Sequence, residues 1–139
     1  MGSGSVKTVS ENQMKILIET IKHAQQPYPT VGYWRRDPNG TLRINVSEEI
    51  GDKYALLVAI HELIEVSLCE ERGITLESVD KFDKAFEKSR KPGNDDEPGD
   101  SPLAPYRREH FFATNIERLM AAELGIDWKK YDDAVNALP

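Results

Sequence analysis

At 139 residues the chain has the length of one domain, and 39% hydrophobic residues suffice for a single core. A formal charge of −6 and a pI near 5.1 argue against nucleic acid or an anionic membrane as main partner, since both attract basic surfaces. The single cysteine, Cys69, precludes an intrachain disulfide and reads as a small buried hydrophobe. No stretch reaches the roughly 18 apolar residues that a membrane span needs, so the expected location is the cytoplasm.

Met1-Gly2-Ser3-Gly4-Ser5 lacks an apolar signal core, and residues 1–9 read as a flexible leader before a single domain, 10–139. Ser10-Glu11-Asn12-Gln13 fits a capping box. Met14, Leu17, Ile18 and Ile21 then repeat at helical spacing, which predicts a first helix over 11–25, ended by Pro27 and Pro29. His23 falls near its exposed end and carries no role. Val31 to Trp34 and Leu42 to Val46 flank Asp37-Pro38-Asn39-Gly40 and predict a hairpin. A second helix opens at Gly51-Asp52, is apolar almost all round, and is expected to be central and buried. Gly73 stops it, and Thr75 caps a third helix over 76–90. Lys91 to Ser101 is an acidic, breaker-rich loop, of a length that suggests mobility or function. Pro105 opens a fourth helix to about 124, Gly125 ends it, and Asp127 caps a short last one. The expected fold is α+β: four to five helices with one small β-hairpin. Trp34 and Trp128 are expected to pack at the core or rim.

Within the second helix, residues 61–65 read His-Glu-Leu-Ile-Glu. Four residues make about one turn, so His61 and Glu65 share a face and could grip one metal ion. His110, on the fourth helix, is the best third ligand, and docking that helix antiparallel would close the site. Glu117, two turns further on, is an alternative ligand or a partner behind one. Asp80, Asp83 and Asp100 are weaker candidates. Imidazole and carboxylate donors suit zinc or another divalent ion, and three protein ligands leave a position open for water. Glu62, beside His61, is placed to act as general base. Tyr106 or Arg107, near the third ligand, could stabilise an oxyanion, although Arg107 and Arg108 more simply pair with acids.

The stretch from Thr41 to Glu65, a strand followed by a motif-bearing helix, resembles the minimal core of zincin-type metallopeptidases; the resemblance covers about residues 31 to 72. It implies zinc, peptide hydrolysis, ligands at His61 and Glu65, and a general base at Glu62. Glu65 stands where that family has a second histidine, which weakens zinc and could favour another ion. The segment Pro105 to His110 is also similar to small phage and bacterial proteins, with no activity implied. The partner expected on this reading is a peptide or small-molecule substrate.

Two other readings compete. Glu62, Glu65, Glu77 and Asp80 are similar in pattern to the carboxylates of all-α nucleoside triphosphate pyrophosphohydrolases, which implies magnesium and a nucleotide. Alternatively, a metal or a buried ion pair of His61, Glu65 and His110 staples the helices of a non-enzymatic adaptor or inhibitor that acts on a protein partner.

Overall fold

A computed structural model describes residues 13–139. Residues 1–9, expected as a leader, and the cap at Ser10 lie outside that range. Three strands, β1 (Ile16–Ile21), β2 (Gly32–Arg36) and β3 (Leu42–Ser47), are followed by four helices. These are α1 (Asp52–Glu71), α2 (Leu76–Lys88), α3 (Arg107–Glu123) and α4 (Trp128–Asn136). The fold is α+β, as expected.

The expected hairpin is β2–β3, antiparallel, with Trp34 opposite Ile44 and Gly32 opposite Val46. The expected first helix is not there. Residues 16–21 form β1, which pairs in parallel with β3 and makes the sheet order β1-β3-β2. Its sequence, Ile-Leu-Ile-Glu-Thr-Ile, is two-thirds β-branched, and such side chains lose rotamer freedom in a helix but fit a pleated surface. Leu17 and Ile21, four apart, share a face in a strand as well as in a helix, so the spacing alone did not separate the two. His23 lies in the single 3₁₀ turn after β1, with Nδ1 2.7 Å from Ser47 Oγ.

Leu42, Ile44 and Val46 of β3, with Trp34 of β2, turn one face of the sheet to α1, where Leu57, Val58, Ala59 and Val66 complete the core. Alternation of buried and partly covered residues along β3 is the signature of a strand with one packed face. Cys69 is buried and free in the same core. Trp34 is buried; Trp128 is half-buried at the rim, under the Arg118 guanidinium at 4.6 Å.

Helix α1 packs chiefly on α3, and the two run antiparallel: His61 meets Glu117, Glu65 meets His110, and Arg72 meets Glu109. Thr75 caps α2 through Ser78 N–H, and Asp127 caps α4 through Lys130 N–H, as their positions predicted. Among the described residues no helix is long and apolar enough to cross a membrane.

Candidate metal centre

His61, Glu65 and His110 converge. His61 Nε2 lies 3.0 Å from Glu65 Oε2 and 3.2 Å from His110 Nδ1, and His110 Nδ1 lies 2.9 Å from the same Glu65 oxygen. All three residues are buried. An ion bound tetrahedrally at about 2.0–2.1 Å separates its ligand atoms by roughly 3.3 Å, close to this triangle. The three residues could therefore hold a metal ion.

Each imidazole is backed by a carboxylate on its far nitrogen. His61 Nδ1 donates to Glu117 Oε1 at 2.8 Å, and Tyr131 donates its hydroxyl to the other Glu117 oxygen. This fixes Nδ1–H on His61 and turns Nε2 toward the cluster, the orientation that metal-bound histidines require. Glu117 is thus the partner behind a ligand. Behind His110, Nε2 faces Asp100 Oδ1 at 3.3 Å and Glu97 Oε1 at 3.7 Å, with geometry short of a hydrogen bond. These two acids come from the breaker-rich loop, which folds a 3₁₀ turn at Pro98–Asp100 over the site. Gly99 of that turn is buried on the His110 ring, and a Cβ there would lie 2.3 Å from His110 Cγ. Only a glycine lets the loop approach so closely.

Electrostatics of the cluster follow from its burial. Burial opposes charge on Glu65, but hydrogen bonds from His110 and His61 outweigh it and lower its carboxyl to about 2. Burial likewise opposes charge on His110, yet the Asp100 and Glu65 carboxylates raise it to about 10. His61 is raised by Glu117 and Glu65 against its own desolvation. The metal-free centre thus favours cationic imidazoles around one carboxylate oxygen. Two ring N–H groups can donate to that oxygen, but at 3.2 Å between nitrogens the two cations repel; a divalent ion held by the three ligand atoms would displace both protons and with them the repulsion.

Glu62, the expected base, lines the cleft beside the cluster. Desolvation first, then the Glu65 charge, raises it to about 8. Gly32 of β2 makes room for it: a Cβ on Gly32 would lie 2.9 Å from Glu62 Cγ and 2.7 Å from Val58 Cγ1. Tyr106 lines the same cleft, with its ring edge-on to His110 at 6.0 Å between centroids. Its hydroxyl donates to Asp83, and burial and that carboxylate keep it protonated. Arg107 is exposed and donates from Nε to the Asp100 carbonyl at 3.4 Å.

No family model matches the chain, and no curated protein or solved structure matches it either.

Glu62, Glu65, Glu77 and Asp80 do not gather into a ligand group among the described residues. Glu77 is exposed in the first turn of α2, and Asp80 accepts hydrogen bonds from two tyrosines instead. Those tyrosines, Tyr28 and Tyr33, and also Tyr131 and Gly99, are not among the residues that the sequence marks as belonging to the site. Tyr28 and Gly99 sit in loops, where no periodicity marks a side chain as facing a site. Gly99 carried one signal, a Pro-Gly-Asp turn within the loop preceding the third ligand.

Proposed function

We propose that the protein is a zinc-dependent hydrolase of the metallopeptidase type. The observation that carries the reading is the triangle of His61 Nε2, Glu65 Oε2 and His110 Nδ1, with Glu117 keying His61 from behind. The donor set fits zinc: two neutral imidazoles and one carboxylate, with room for a fourth ligand from the cleft. A zinc ion held there supplies Lewis acidity, bringing the pKa of water from about 16 to near 7 and polarising a carbonyl.

The chain's own residues then divide the work. Glu65, whose low pKa keeps it ionised, would neutralise one charge of a bound ion. Glu117 and Tyr131 hold His61 in one tautomer and one orientation. Glu62, on the cleft wall beside His61, would take a proton from the attacking water and return it to the leaving amine. Tyr106 packs against the His110 ring and braces Asp83 on the cleft wall.

Elemental analysis of protein purified without chelators tests the first half: one zinc per chain is expected. Glu62→Gln tests the second. It should keep zinc and the circular dichroism spectrum but lose hydrolysis of a fluorogenic peptide library by about 100-fold or more. Protein without a divalent metal, or a Glu62→Gln variant as active as the parent, overturns the proposal.

A second reading is favoured by one observation. On the outer face of α3, Phe111 and Leu119 are each 65% exposed, with Phe112 beside them. Exposed apolar groups of this size suit a protein partner. On that reading the cluster is a staple for an adaptor or inhibitor, and Glu62→Gln leaves partner binding untouched.

A further inference from the structure

The two imidazoles of the candidate centre differ in what their outer nitrogens meet. His61 Nδ1 is tied to Glu117 at 2.8 Å. His110 Nε2 is buried, on a side chain only 7% exposed, and has no hydrogen-bond partner among the described residues. Leaving a buried ring nitrogen unpaired is costly, and native structures rarely do it. What faces this nitrogen is a pair of acids: Asp100 Oδ1 at 3.3 Å and Glu97 Oε1 at 3.7 Å. They come from the 3₁₀ turn at Pro98–Asp100 and the residue before it, and three residues per turn bring side chains three apart to the same side. Gly99 between them lets the turn rest on the His110 ring, which brings both acids to the imidazole.

A proton does not account for this arrangement. An N–H on Nε2 points along one line and serves one acceptor well, whereas here two acids face it and neither meets hydrogen-bond geometry. Among the described residues neither carboxylate pairs with a lysine or an arginine; Arg107 Nε reaches the backbone carbonyl of Asp100 instead. The three donor atoms, Nε2 and one oxygen from each acid, all lie within 4.8 Å of one another. Both carboxylates are about half exposed, so they can close on an ion and water can complete its shell.

We infer that Glu97, Asp100 and His110 Nε2 form a second seat for a divalent transition-metal ion, with the His110 ring bridging it to the first. The inference rests on the metal reading of His61, Glu65 and His110, and not on hydrolysis. The donor set selects the ion: imidazole nitrogen suits zinc and its neighbours, while magnesium and calcium take oxygen ligands. The Nε2 proton of a His110 already bound through Nδ1 leaves to solvent, and a bond from Nε2 to the second ion forms in its place. The two carboxylates balance the ion's charge. Because its acids are half exposed, the second seat is the weaker one and fills only when metal is added. Glu97 also lines the cleft, so an ion held there fastens the acidic loop to α3 at the cleft's edge.

The test titrates protein already carrying one zinc per chain with zinc chloride at pH 7.5, by calorimetry. A second equivalent should bind saturably, and magnesium in large excess should not displace it. Glu97→Gln and Asp100→Asn keep the size of each side chain, sit at half-exposed positions and lie outside the first seat. Each should weaken the second equivalent by about tenfold or more while the first zinc stays bound, as read by elemental analysis after gel filtration. Losing an outer partner alone costs a metal site about 10- to 100-fold, and losing a ligand costs at least as much. The inference is overturned by a parent that takes no second equivalent, by a second equivalent undiminished in both variants, or by one that magnesium displaces as readily as zinc does. The two proposals fail separately. Peptide turnover with one zinc and no second removes the second seat and leaves the hydrolase. Two zinc ions with no turnover of any peptide remove the hydrolase and leave the seat. A chain that takes up no zinc overturns both.

Discussion

Replacing Glu117 with glutamine perturbs the candidate metal centre without touching a ligand. Glu117 accepts from His61 Nδ1 at 2.8 Å and from the Tyr131 hydroxyl, and it is only 8% exposed. Glutamine keeps the shape, removes the charge, and places an NH₂ donor where one oxygen was. With its oxygen toward His61, the amide still holds Nδ1–H, and the Tyr131 hydroxyl turns to accept from the NH₂. With its oxygen toward Tyr131, His61 would face a donor and move its proton to Nε2, the atom that points into the cluster. The first orientation prevails, so what is lost is charge assistance. A hydrogen bond to a charged group contributes about 1.5–3 kcal/mol, against about 0.5–1.5 kcal/mol for a neutral one. The difference, about 1–2 kcal/mol, corresponds to about 5- to 30-fold in a dissociation constant. Zinc should therefore bind about tenfold more weakly to Glu117→Gln, as read by competition with a chromophoric chelator at pH 7.5. Glu117→Ala should fall further, since it leaves both His61 Nδ1–H and the Tyr131 hydroxyl without a partner. A zinc dissociation constant in Glu117→Gln within about twofold of the parent's refutes the assignment of Glu117 as the residue that keys His61.

Metal-free protein should lose stability as pH rises. His110 has its folded pKa raised to about 10, so its contribution is complete below the ordinary imidazole value near 6.5 and is lost toward 10. Asp83, at about 7, and Glu62, at about 8, are raised as well and act in the same direction. Zinc competes with those imidazole protons, so the rise in Tm on adding zinc should grow from pH 5.5 to 8.5, by differential scanning fluorimetry; a zinc increment flat across that range contradicts the protonation states described above. Gly99→Ala would place a Cβ 2.3 Å from His110 Cγ, so the loop or the ring must move. Overpacking of that kind costs about 1–3 kcal/mol; the midpoint of urea unfolding should drop and zinc affinity fall with it, and an unchanged variant would show that the loop does not rest on the ring. Ile44→Ala, at a fully buried position at the centre of the sheet, should cost about 2–5 kcal/mol in the same assay without changing zinc stoichiometry.

The sequence by itself determined what local chemistry determines. Breakers and caps placed α2 and α4, because a threonine or aspartate side chain answers an orphan N–H within three residues. An apolar run nearly unbroken around its axis marked α1 as central. Helical periodicity put His61 and Glu65 on one face, and a second histidine on another long helix completed the cluster. Residues 16–21 carry helical spacing yet form a strand, because a strand is stabilised by its neighbour: β1 is held by pairing with β3, from Leu42 to Ser47, and nothing within the six residues announces that partner. Only the tertiary structure decided that Glu117 backs His61 across 56 positions, that Gly99 lies against the His110 ring, and that Tyr28, Tyr33 and Tyr106 line an acidic wall. Those contacts join segments whose spacing in the chain has no period, so their geometry exists only once the helices and loops have docked.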